Sequence, residues 1–203
     1  MATYKVVKGS ISGDAMLSEF TEALTGCVSF ACGKISRDIS KLDTTAYGSE
    51  STITKASTGL GGLGATSFAG TVVAPHANAY ARHFLRLDKS ATARMDLGNL
   101  VEQLTFTSLR DYYTDWTEGT HYLYQTSIAV PPGFPIKYTG TSKTARPDFR
   151  VPHGGGEAVF DITTPLEVGH LIDKQVDGTK LADHAKVLVA VEIIWEDKDL
   201  WGL

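Results

Sequence analysis

Apolar and polar positions alternate along this chain with two different periods, and each change of period marks an element. Residues 3–8, TYKVVK, have the alternation of a short strand. From Asp14 to Leu24 the large apolar residues Met16, Leu17, Phe20 and Leu24 fall near helical spacing behind Asp14, which predicts a short helix with an aspartate cap. Residues 44–71 then turn rich in Ser, Thr and Gly, the pattern of a connector. Pro75 opens PHANAYARHFLRL, where Tyr80, Phe84 and Leu87 share one face of a predicted amphipathic helix. A second predicted helix runs from about Ala93 to Leu109, with Leu97, Leu100, Val101, Leu104 and Leu109 in its apolar stripe and Glu102 beside it.

Beyond residue 120 the period shortens to two. HYLYQTSIAV reads as a strand ended by Pro131 and Pro132, and Pro147–Val151, Ala158–Thr163 and Val187–Trp195 read as three more. A helix is expected from about Pro165 to Gln175. The glycine-rich HGGG at 153–156 predicts a tight hairpin with positive φ angles between the second and third of these strands. The order implies an α+β fold: a small mixed β-sheet of about four strands flanked by helices over residues 76–203. Residues 1–75 are read as a Ser/Thr/Gly-rich N-terminal extension and flexible connector.

Composition places the chain among globular proteins, with 203 residues, 42% hydrophobic and 21% charged. No run approaches the roughly 18 apolar residues of a membrane span, and the N-terminus lacks the apolar core of a secretory signal. The expectation is synthesis in the cytoplasm, with delivery to a target cell, if it occurs, by a specialised secretion system. Cys27 and Cys32, five residues apart, fit neither a disulfide framework nor a zinc site and read as buried free thiols. Charge is uneven: residues 94–203 hold ten Lys/Arg against sixteen Asp/Glu, and residues 1–93 hold nine against seven. An acidic C-terminal half weighs against non-specific duplex binding, whose affinity comes from cations on phosphates.

Several motifs carry little. Gly59, Gly61 and Gly64 have GxGxxG spacing, yet no convincing strand precedes them, and no Gly-Lys-Ser/Thr supplies a P-loop. There is no GxSxG elbow, and nothing in the spacing of His121, His153, His170 and His184 selects a general base. His76 and His83, seven apart, are two helical turns from one another and read as surface or cap residues.

The carboxylates say more. Hydrolysis of a phosphodiester at neutral pH needs an activated water and neutralisation of charge on the phosphate, which a divalent cation held by carboxylates supplies. Asp148 and Asp161 flank the HGGG hairpin thirteen residues apart, so antiparallel pairing brings them to one end of the ladder. Their side chains then have to share one face, and Phe160 and Ile162 beside Asp161 point to the other. Glu102, on the preceding helix, is the third oxygen donor expected.

Gly98-x-x-x-Glu102 on a helix, Arg146-Pro147-Asp148 and Asp161-Ile162-Thr163 after a glycine turn resemble the PD-(D/E)xK nuclease superfamily, in particular the C-terminal nuclease domains of bacterial polymorphic toxins. The resemblance covers residues 94–195, about half the chain, through short and degenerate motifs. It implies a DNase or RNase dependent on Mg²⁺ or Mn²⁺, with Glu102, Asp148 and Asp161 as metal ligands, the Ile162 carbonyl completing the set, and an immunity protein as partner. Thr163 stands where the family has lysine. Lys174 is the expected substitute for that cation, and Lys143, Arg146 and Arg150 are expected on the substrate phosphate, with Gln175 and Lys137 nearby in sequence. The competing reading, favoured by Thr163 and the acidic charge, is a non-catalytic interaction or structural module, such as a phage or injection-apparatus component.

Overall fold

A computed structural model describes residues 1–40, 91–125, 128–129, 144–145, 147–169, 171, 186–196 and 199. The expected connector at 44–71 with its glycines, and the expected helix from Pro75 to Leu87, lie outside the described residues. The chain divides into two compact units, Met1–Ser29 with Thr105–Glu196 and Phe30–Leu104 with Asp197–Leu203.

The first unit is built on a five-stranded sheet. Strands β1 (Thr3–Lys8), β2 (Leu123–Tyr124), β5 (Phe149–His153), β6 (Gly156–Thr163) and β7 (Val187–Ile194) lie in the order β1-β7-β6-β5-β2, and β3 (Ile128–Ala129) pairs with β4 (Thr144–Ala145) in a separate ribbon. All neighbours in the large sheet are antiparallel except β6 and β7, which are parallel. The α+β class and the mixed sheet follow the sequence pattern. The N-terminal residues do not: β1 forms an edge of the sheet, so residues 1–29 are part of this unit rather than of an extension before it.

Helix α1 covers Ala15–Ser40, far longer than the short helix expected. Asp14 caps it, its Oδ1 accepting the Leu17 N–H at 2.9 Å. Leu17, Phe20, Leu24, Val28, Ala31 and Ile35 are buried at intervals of three and four, so the stripe that sets the helix continues past Leu24 through small residues that signal weakly. Phe20 is the hub of the core in the sheet unit. Its ring meets Phe160 at 5.1 Å, Trp116 at 5.0 Å, Tyr122 at 5.7 Å and Phe149 at 6.3 Å. Phe149 and Phe160 are cross-strand partners, and Phe160 is in turn paired with Val191, so this row defines the face of the sheet that α1 covers.

Helix α2 covers Ala91–Tyr112, a turn longer than expected, with Leu97, Leu100, Val101 and Leu109 buried. The predicted hairpin is present. His153 pairs with Gly156, and Gly154 and Gly155 turn the chain with φ of 54° and 77°, the two-residue turn with both central angles positive. Where a helix was expected from about Pro165 to Gln175, the described residues form a 3₁₀ turn over Pro165–Glu167 and are helical again at Leu171, and residues 170 and 172–175 lie outside those described. Val168 leaves helical geometry at ψ 131° and Gly169 adopts φ 94°, and most residues beyond it lie outside those described.

Candidate active site

Side chains alternate across a strand, so the residues next to the Phe149–Phe160–Val191 row point away from α1. Asp161 is one of these, and its partner across the parallel ladder is Glu192, which is itself paired with Lys5 of β1. Lys5, Glu192 and Asp161 therefore form one polar row on the face opposite α1. Asp161 is 7% exposed and Glu192 is fully buried, whereas Lys5 is exposed.

Asp148 continues the arrangement beyond the end of β5. Phe149 pairs with Phe160, which puts Asp148 opposite Asp161 at the next position of the ladder. Its backbone carbonyl accepts the Gln125 N–H at 2.9 Å, and its side-chain Oδ2 accepts the Ile162 N–H at 2.7 Å. The carboxylate thus takes the place of a strand partner for β6 and is fixed against the residue that follows Asp161. In an extended strand the N–H and C=O of one residue turn to the same side. The Ile162 carbonyl accordingly turns toward the β5 side of β6, the side from which Asp148 accepts the Ile162 N–H.

Two carboxylates and a main-chain carbonyl are hard oxygen donors, the kind that suit Mg²⁺ or Mn²⁺. Among the described residues no group of three His, Cys, Asp or Glu side chains is gathered closely enough to hold a metal unaided. Glu102, expected as the third acid, is 7% exposed on α2 in the second unit.

The expected cations divide into two groups. Arg150 is described, and its guanidinium grips Glu157 across the hairpin, Nε to Oε2 at 2.9 Å and Nη2 to Oε1. A phosphate has to compete with that forked pair for Arg150. Lys143, Arg146 and Lys174, with Lys137 and Gln175, lie outside the described residues. Thr163, in the position of the family lysine, is 5% exposed at the end of β6, on the same face as Asp161.

The described histidines serve local structure. His121 Nδ1 accepts the Thr117 N–H at 3.0 Å, and His153 Nδ1 meets Asp14 Oδ2 at 2.9 Å, tying the hairpin to the cap of α1.

Glu192 is the residue that sequence reasoning passed over. Its Oε1 and Oε2 accept the Gly169 N–H at 2.9 and 2.8 Å, and Oε1 also accepts the Leu171 N–H at 3.0 Å. The available signal was an acid in the middle of VLVAVEII, the same pattern that drew attention to Asp161.

Comparison with protein-family models, with curated proteins and with solved structures gave no match in any of the three.

Proposed function

We propose that this protein is a metal-dependent phosphodiesterase that cleaves nucleic acid, with Asp148 and Asp161 as its principal carboxylates. The observation that carries the reading is the bond from Ile162 N–H to Asp148 Oδ2, which draws the two acids together at one end of the β5–β6 ladder. Asp161 is 7% exposed near the end of a central strand, where a carboxylate is costly unless hydrogen bonds or a positive species meet it. A bound Mg²⁺ or Mn²⁺ supplies Lewis acidity at the scissile phosphate and a more acidic water. Asp148 and Asp161 hold that charge in register with the substrate, and the Ile162 carbonyl adds a neutral oxygen. Lys174, Lys143 and Arg146 are assigned as the cations facing the phosphate on their sequence positions alone. Arg150 joins them only by exchanging its carboxylate partner Glu157 for phosphate. A bacterial toxin or effector role, with delivery by a specialised secretion system and an immunity protein that neutralises the site in the producing cell, completes the proposal.

The test is incubation of the protein with plasmid DNA and with total RNA in Mg²⁺, in Mn²⁺ and in EDTA, beside Asp148→Ala and Asp161→Ala. The expected result is cleavage that requires metal and falls by about a hundred-fold or more in each variant. Either variant cleaving at the wild-type rate overturns the assignment. A second reading, a non-catalytic interaction module such as a phage or injection-apparatus component, draws on Thr163 in the lysine position and on the pairing of Arg150 with Glu157. It requires intact nucleic acid in every lane and no rise in melting temperature on adding Mg²⁺ or Mn²⁺, since a ligand that binds only the folded state stabilises it.

A further inference from the structure

The buried carboxylate of Glu192 has no part in the chemistry just proposed, and its environment is unusual for β7. On its face of the strand the neighbours are Ala190 and Ile194, and Ala190 is fully buried, so an aliphatic side chain would fit with none of the desolvation that a carboxylate incurs. What offsets that desolvation is specific: three contacts from two backbone N–H groups, those of Gly169 and Leu171. Gly169 has φ 94°, a conformation that glycine adopts without strain and that helps neighbouring main-chain N–H groups to turn toward one anion. The turn after the 3₁₀ segment is consequently drawn over the face opposite α1. It comes down beside Asp161, because Asp161 and Glu192 are register partners on strands about 4.8 Å apart.

We propose that Glu192 is a positioning residue that pins the Gly169 and Leu171 backbone beside Asp161 and so fixes one rim of the phosphate-binding face. The inference rests on the phosphodiesterase reading of that face. A glutamine at this position keeps size but has one oxygen to accept with, and it turns an amide donor toward a backbone donor. An aspartate keeps the charge but draws it back by one methylene. Reach and acceptor count, rather than charge alone, are what the pin requires.

The test measures amide hydrogen exchange and plasmid-cleavage kinetics on the full chain, for wild type, Glu192→Gln and Glu192→Asp. Exchange at Gly169 and Leu171 is expected to quicken by roughly ten-fold or more in both variants while the β6 and β7 amides hold. The KM for nucleic acid is expected to rise about five-fold or more, with kcat within about two-fold of wild type. Unchanged exchange at both amides overturns the pin, and quickened exchange with an unchanged KM overturns its role at the rim. If Glu192→Gln does not fold, Glu192→Asp carries both measurements. A wild-type protein that cleaves nothing in an Asp161-dependent way removes the phosphodiesterase reading and the rim with it, while the exchange data separately decide whether Glu192 holds the turn.

Discussion

Tyr122 is 1% exposed between Phe20 and Phe149, and its hydroxyl has no hydrogen-bond partner among the described residues. Burial raises the pKa of the phenol, with Glu118 adding to the effect, so the group is held in its neutral form. A buried hydroxyl in that state costs roughly 1–3 kcal/mol, and removing it leaves the ring contacts intact. Tyr122→Phe is therefore expected to raise stability by about 1 kcal/mol in urea unfolding; a loss of that size instead would mean that the hydroxyl does bond in solution. The two thiols behave oppositely to a reactive pair. Burial pushes Cys27 and Cys32 up from the ordinary 9.0 to about 12, and both are free. The folded state thus holds its thiol protons to higher pH than the unfolded chain does. The stability this confers is complete below pH 9.0 and drains away as pH rises to about 12. Native protein at pH 8 is expected to leave an aromatic disulfide reagent unreacted, with two thiols titrating on unfolding and the unfolding free energy falling through that alkaline window.

At the scale of elements, the β5–β6 hairpin organises the candidate site, and Gly155 and Gly156 in it do different work. Gly155 sits at φ 77° with open space where a Cβ would project, whereas a Cβ on Gly156 would lie 2.2 Å from the Lys186 carbonyl oxygen. Asparagine tolerates positive φ, so Gly155→Asn is expected to cost at most about 1 kcal/mol. Gly156→Ala has to push the start of β7 away from β6, where Glu157 N–H bonds the same Lys186 carbonyl, and is expected to cost about 1–3 kcal/mol. Thermal melts of the two variants check the ranking, and equal losses would contradict it. The hairpin was legible because glycine runs have few uses, and Asp161 because an acid between Phe160 and Ile162 interrupts an apolar strand. Glu192 interrupts β7 in the same way, yet its partners are main-chain N–H groups near residue 170, which no side-chain pattern advertises. The length of α1 was hidden for a related reason. Ala31 and Cys32 are buried but contribute little to a hydrophobic period, so the stripe read from Met16 to Leu24 ends too soon.

At the scale of the whole molecule, the largest departure from the sequence pattern is what closes the sheet. TYKVVK was legible as a strand, but strand partners are set by topology rather than by local pattern. β7 is a nearly continuous apolar run whose flanks both need cover, and β6 supplies only one. β1 supplies the other through five register pairs from Thr3↔Ile194 to Lys8↔Ala190, with Ala2 buried and its N–H bonded to Ser29 Oγ at 2.9 Å. Removing residues 1–8 would expose the backbone edge of β7 beside Val191 and Ile193. The loss of four or five ladder bonds at about 1 kcal/mol each amounts to roughly 4–5 kcal/mol. For a chain of this size, that corresponds to a fall in Tm of about 10 °C. A dispensable extension predicts no change at all, so a melt of the truncated chain separates the two descriptions. Because Glu192 lies on β7 between Lys5 and Asp161, the same truncation is expected to quicken amide exchange at Gly169 and Leu171. An edge strand at the start of the chain would then set the order of a turn beside the carboxylates more than 150 residues further on.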